Sequence, residues 1–373
     1  MTRRVPAEVF PPGDFIREEL EARNWTQADL AAILKRPLPA VNEIIKGKKS
    51  ITADTAKALG DAFGTGPEFW QNLQNAYDLA MTGPSDDDVA RMAAIYAVAP
   101  VNDLVKRQWI NWSNDAEELE RSILKFYRAP SIAEINFPLM AARKSSSYDE
   151  MTPLEIAWCH RARQLAECVG VSRFKASALK GAFAELQRLT NSEQEVRHVP
   201  KLLADIGIRF VVVERLPKTK IDGAAFWLDS NSPAIAISLR HDRIDGFWFT
   251  LWHEIAHIFH NDRVTPLDTK LVGQDRQPTN EKSEIEKAAD QFAESSLVPQ
   301  ADLESFIVRV KPLYSKVKIN QFAGRIGIHP GIIVGQLQHR REIGFSHSRE
   351  MLVAVRDLLT PSAMTDGWGS VPI

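Results

Sequence analysis

Apolar residues recur along this chain with two different periods. Up to about residue 188 they fall three and four positions apart, the spacing of a single helical face. A helix is expected over residues 14–23, after Pro11, Pro12 and Gly13. Thr26 and Asp29 stand just before Leu30, Ala31, Ile33 and Leu34, a helix-start signal in which each side chain holds the other's backbone amide. Lys35, Arg36 and Pro37 break that helix, and Val41, Ile44 and Ile45 form the apolar face of a short successor over 39–46. Gly47 closes it, and Thr52 caps a further helix through Phe63. Two short helices joined by a tight turn and buried against their neighbours describe a helix-turn-helix.

Residues 83–88 are a linker by composition, and the chain then reads helical from 89 to about 188, with breaks at 99–100, 128–130 and 144–147. Trp109, Trp112 and Trp158 in this stretch are read as core. At residue 206 the period changes. Residues 208–213, 224–228 and 234–238 read as strands, with bends at Asp222, Gly223 and 229–233 between them. The strand 224–228 is expected at a sheet edge, where an extended peptide can add to it. Directly after the sheet, residues 247–260 form a long apolar run with few polar positions, which on a helix means burial. The fold class expected is multidomain and mainly α. It comprises an all-α helix-turn-helix head over 1–84, a helical connector over 85–198, an α+β part with a small sheet over 199–345, and a C-terminal helix and tail over 346–373. The connector, too long for a tether, is expected to fold against the α+β part and govern access to it.

The buried run carries the chemistry. His253, Glu254 and His257 spell H-E-x-x-H, and on a helix the two histidines sit one above the other on one face. Two neutral imidazoles at that spacing can bind one zinc ion, and Glu254 flanks the metal where it can take a proton from the attacking water. Further on, Ala288, Ala289, Phe292, Ala293 and Leu297 make an apolar helical face that Pro299 follows, with Glu286 one turn before Asp290. This E-x-x-A-D pattern resembles the second motif of zinc peptidases whose third ligand is glutamate. The resemblance implies Glu286 as that ligand and Asp290 as the group that orients a histidine. His260, two turns beyond His253, is too far along the axis to join them. His329 is weighed as a donor to the developing oxyanion.

Composition narrows the setting. A 44% hydrophobic and 25% charged chain of 373 residues is ordinary for a soluble protein of two or three domains. A formal charge of −2 gives no global attraction to nucleic acid, so binding there must come from a local patch. Lys35, Arg36, Lys46, Lys48 and Lys49 supply one around the second short helix, against Glu43. No apolar run reaches spanning length, the first residues lack a signal-peptide core, and Cys159 and Cys168 make no C-x-x-C. A reducing cytoplasm with idle thiols is the expected setting.

Residues 11–79 resemble the HigA-like, antitoxin-type branch of the Cro/CI-type (XRE) helix-turn-helix family. The match lies in Pro12-Gly-Asp-Phe-Ile-Arg-Glu-Glu, Asn42-Glu-Ile-Ile-Lys-Gly-Lys, Ile51-Thr-Ala-Asp-Thr-Ala and Phe63-Gly-Thr-Gly-Pro-Glu-Phe-Trp-Gln-Asn-Leu. That resemblance implies a homodimer on duplex operator DNA with the helix 39–46 in the major groove, and possession of a toxin partner as in antitoxins. Gln27 would then touch phosphate, Asn42 and Glu43 would lie near bases, and Lys46, Lys48 and Lys49 near the backbone. Pro39 and Ala40 depart from the pattern by offering only apolar contact to a thymine methyl. Residues 199–345 resemble the ImmA/IrrE family of zinc metallopeptidases, through Gly223-Ala-Ala-Phe, the run 247–260, residues 286–299 and residues 322–338. The segment 319–338 reads helix, Gly-containing turn, helix, and its few basic residues favour packing against the α+β part over DNA. That family cuts Cro/CI-like repressors or antitoxins, so the resemblance implies Zn2+ and such a protein substrate. A second reading keeps the same residues but makes the chain a non-proteolytic repressor or antitoxin whose zinc domain senses metal or a partner. Glu254 favours the enzyme, because a purely structural site needs no base.

Overall fold

The computed structural model describes residues 9–82, 87–135, 151–262, 268–269 and 283–369. The chain divides into two compact units, Met1–Asp87 and Asp88–Ile373. The expected loop at 144–147 and most of the linker at 83–88 lie outside the described residues.

The first unit consists of α1 (Pro12–Arg23), α2 (Gln27–Ile33), α3 (Leu38–Ile45), α4 (Ala53–Phe63) and α5 (Pro67–Met81). Thr26 and Asp29 form the reciprocal cap of α2: the Asp29 amide donates to the Thr26 hydroxyl at 3.2 Å, and the Thr26 amide donates to the Asp29 carboxylate at 2.8 Å. Ile16, Leu20, Leu30, Val41, Ile44, Leu59, Phe63 and Trp70 close one core. Gly13 lets α1 lie directly on the end of α3, since a Cβ there would fall 2.1 Å from the Ile45 carbonyl oxygen. The second helix of the motif is thus held by its apolar face, leaving its other side to solvent.

In the second unit, α6 (Asp87–Val98), α7 (Val101–Lys106), α8 (Ala116–Tyr127), α9 (Pro153–Cys168), α10 (Ala176–Leu189) and α11 (Val199–Asp205) lead into the sheet. Its strands are β1 (Arg209–Val213), β2 (Ile221–Trp227), β3 (Pro233–Ile237), β4 (Asp268–Thr269) and β5 (Met364–Asp366), in the order β4-β2-β3-β1-β5. The sheet is mixed: β1 runs parallel to β3 and β5, and β2 antiparallel to β3 and β4. The remaining helices are α12 (Ile244–Phe259), α13 (Glu284–Leu297), α14 (Gln300–Val310), α15 (Lys316–Ile326), α16 (Pro330–His339) and α17 (Arg356–Leu359).

Both faces of the sheet are covered, which is why β1 and β3 read as unbroken apolar runs rather than alternating ones. Alternation still sorts the residues. Phe210, Val212, Ala225, Ile235 and Ile237 join the core built around α12, while Val211, Val213, Ala224, Phe226, Ala234 and Ala236 pack with Trp158, Ala162 and Leu165 of α9. Trp158 is fully buried and donates its indole N–H to the Val213 carbonyl at 3.0 Å.

Residues 88–373 form one compact unit, and the helical region before the sheet folds against it as expected: α9 is one layer of a helix–sheet–helix sandwich and supports the sheet from the face opposite α12. β2 begins at Ile221, earlier than expected, and on the side away from β3 it is met by β4 at Ile221 and Gly223. The presumed C-terminal helix and tail contributes β5, which is tied down through Asp366 to Arg107 at 2.9 Å, Arg161 at 2.5 Å and the Trp109 indole at 2.9 Å. Trp112, taken for core, is half exposed. The segment 319–338 forms two helices about a turn, and α16 is buried against α12 through Ile332, Ile333 and Leu337, so it packs within the second unit as its few basic residues lead one to expect.

Candidate metal centre

α12 is buried along nearly its whole length, as its composition requires, and brings His253 and His257 to one side. α13, capped by the Ser283 hydroxyl, crosses it and buries Glu286 and Asp290 while Ala289 and Ala293 allow close approach. The result is a convergence of donors. The Nε2 atoms of His253 and His257 lie 3.2 Å apart, and Glu286 places Oε2 3.2 Å from the first and Oε1 3.6 Å from the second. One donor atom from each of the three residues lies within 4.8 Å of the others, and all three are buried. Two imidazole nitrogens and one carboxylate oxygen in a dry setting suit a divalent metal with a position left open.

Each histidine is held from behind. Asp290 Oδ1 lies 3.0 Å from Nδ1 of His253, and Asp262 Oδ2 lies 3.1 Å from Nδ1 of His257. Asp290 stands where the zinc-peptidase resemblance put it; Asp262 escaped the sequence reading. It sits just beyond the helix, outside any recognised motif, and the signal for it was the Asn-Asp pair at the helix stop.

Glu254 is fully buried, with its carboxylate lodged against β2. A Cβ on Gly223 would fall 2.4 Å from Glu254 Oε1 and 2.7 Å from the Thr250 methyl, so the absent side chain is the space that this carboxylate fills. Next along, Asp222 is clasped by Arg240 at 2.8 and 3.0 Å, fixing β2 beside the helix. Burial, with Arg240 nearby, lowers the His241 imidazole from its ordinary value. A Gly223→Ala exchange should displace the Glu254 carboxylate with metal content unchanged; a structure of the variant with elemental analysis on the same preparation checks this, and an unmoved carboxylate would contradict it.

His260 is exposed at the end of α12, away from the donor cluster. His329 caps α16, its Nδ1 accepting from the Gly331 amide at 3.1 Å, with Glu193 3.5 Å from Nε2; it is not among the groups gathered here. Desolvation pushes the buried Cys159 thiol well above its ordinary range, consistent with an idle group.

On the first unit, Glu43, Lys46, Lys48 and Lys49 are exposed around α3, and Gln27 is half-buried at the start of α2. Asn42 is half-buried, with its Oδ1 shielded from solvent. Arg36 is engaged by Asp54, which removes it from the free basic cluster.

These features define a two-unit protein, a helix-turn-helix head and an α+β unit bearing an H-E-x-x-H centre. The helix-turn-helix family matches residues 16–70, and the IrrE N-terminal-like domain, peptidase family M78, matches residues 207–324. The chain belongs to the helix-turn-helix family through its first unit and carries an IrrE N-terminal-like domain in its second. Virulence-associated protein I of Dichelobacter nodosus is 41% identical over 71 residues, 19% of this chain and 66% of that protein, so the chain spans just under two thirds of that relative. An uncharacterised HTH-type transcriptional regulator of Escherichia coli, YddM, is 33% identical over 69 residues, 18% of this chain and 73% of that protein. Among solved structures, the antitoxin HigA of Pseudomonas aeruginosa with the higBA promoter is 39% identical, with 20% of this chain and 83% of that one covered and a TM-score of 0.20. No helix among the described residues is long and apolar enough to cross a membrane.

Proposed function

We propose that the protein is a cytoplasmic DNA-binding regulator whose second unit is a zinc-dependent endopeptidase acting on Cro/CI-like repressor or antitoxin proteins. The observation that carries this reading is the buried convergence of His253, His257 and Glu286 beside Glu254, the carboxylate that Gly223 makes room for. His253, His257 and Glu286 would hold the zinc, which when bound supplies Lewis acidity to the scissile carbonyl. Asp290 holds the His253 ring in place. Glu254 takes a proton from the attacking water as its oxygen bonds to the carbonyl carbon. The same carboxyl returns that proton to the leaving nitrogen as the C–N bond breaks, so it ends the cycle as it began. Burial of α12 keeps other water away from this carboxylate. Incubating the zinc-loaded protein with such repressors and mapping cleavage by mass spectrometry tests the proposal.

The head would bind operator DNA as a dimer, with α3 in the major groove and Lys46, Lys48 and Lys49 against phosphate. Gln27 would touch the backbone, and Asn42 and Glu43 would lie near bases. Affinity should fall as salt rises, and Lys46→Ala with Lys48→Ala should weaken binding to all sequences alike, lowering the salt slope by about one unit per lost contact. Fluorescence anisotropy across a salt series reads this directly, and an unchanged slope would take both lysines off the phosphates. A toxin is a further partner for the head, testable by co-purification with the product of a neighbouring reading frame.

A further inference from the structure

We infer that the C-terminal cap of α12 is part of the metal centre, with Asp262 as the positioning residue for His257 and Asn261 as the turn that delivers it. The inference rests on the reading that His253, His257 and Glu286 hold a metal, and adds what fixes the second histidine.

After His260 the chain must leave a helix whose last carbonyls have no partners of their own. Asn261 adopts a left-handed conformation with φ +59°, the one that Asn tolerates better than other residues with a side chain. Its amide donates to the Ile258 carbonyl at 3.1 Å, and the Asp262 amide donates to the His257 carbonyl at 2.8 Å. That pair of bonds is the Schellman closure, which folds the chain back over the last turn. Here the residue that it folds back onto is His257 itself. Asp262 therefore meets one residue twice, with its amide on the backbone carbonyl and its carboxylate 3.1 Å from ring Nδ1.

The second contact decides which ring nitrogen faces inward. A carboxylate can only accept at Nδ1, so it fixes the proton there and leaves Nε2 with its lone pair free. Nε2 is the atom that lies 3.2 Å from Nε2 of His253 and 3.6 Å from Glu286. Asp290 does the same for His253 from α13. The two histidines are thus oriented by carboxylates from two different elements, one across the helix pair and one from the helix's own stop. Removing Asp262 takes away the carboxylate contact at Nδ1, and a proton moved to Nε2 would point into the cluster.

The test uses the full chain and zinc itself as probe. Asp262→Ala should raise the zinc dissociation constant about 10–100-fold in competition with a chromophoric chelator, the usual range for a group that orients a ligand. Asp262→Asn, whose amide oxygen still accepts from Nδ1–H, should fall between it and the wild type. Asn261→Gly should match the wild type, because glycine keeps the left-handed turn, whereas Asn261→Val should weaken zinc binding without altering any group near the metal. Imidazole 15N spectra of the zinc-free protein give a readout that general loosening would not produce: loss of the Nδ1–H form at one histidine in Asp262→Ala, and its retention in Asp262→Asn. Zinc affinity within twofold of wild type in Asp262→Ala, with the His257 tautomer unchanged, overturns the inference while leaving the metal reading intact. A wild-type chain that binds no zinc overturns both.

Discussion

Glu286→Ala is expected to leave the purified protein with little zinc. The cluster has three donors, and Glu286 is the carboxylate among them, sitting within 3.2 and 3.6 Å of the two imidazole nitrogens. Its removal leaves two neutral rings on one helix and no anionic ligand to offset the ion's charge. The loss of affinity should exceed the roughly 10–100-fold typical of residues that merely support a ligand. Glu286→Asp keeps the carboxylate at one methylene less reach and should retain more metal than the alanine variant. Elemental analysis after dialysis against buffer with micromolar free zinc compares the three proteins. Unchanged stoichiometry in Glu286→Ala would place the third ligand elsewhere.

Glu254→Gln should produce the opposite dissociation of properties, with full metal content and lost turnover. Glutamine has the same shape and fits the space that Gly223 leaves, so α12 and its histidines stay where they are. What disappears is the group proposed to take and return the proton. General acid–base catalysis contributes on the order of 10²–10⁴-fold, and kcat should fall by that factor while KM changes little. A variant that kept wild-type kcat would remove Glu254 from the reaction and favour the regulator whose second unit only senses metal.

How far the sequence carried this account depended on whether the signal was local. H-E-x-x-H is local, since one helix period aligns His253 and His257 whatever surrounds them. The cap of α2 was equally legible, because Thr26 and Asp29 complete it within a single turn. The sheet was read in part: β1, β2 and β3 are long enough to show their apolar runs, but β5 is three residues before Gly367 and gains its identity only by lying beside β1. The role of α9 was hidden for a related reason. Its helical period marks a buried face, and nothing in that period says that the face rests on the strands rather than on other helices. Asp262 and Gly223 show the same limit within the site. One matters because a helix stop folds back on His257, the other because an absent side chain makes room for Glu254, and both are facts of close approach that spacing cannot express.

Peptide-bond cleavage by the zinc-loaded full chain is the decisive measurement for the endopeptidase proposal. The protein, with zinc measured at one per chain, is incubated with a panel of Cro/CI-like repressors and with Glu254→Gln in parallel, and products are mapped by mass spectrometry. A defined cut is expected in at least one repressor, present with the wild type, absent with Glu254→Gln and abolished by a chelator. Intact repressors throughout, with zinc bound and the fold preserved, would contradict it.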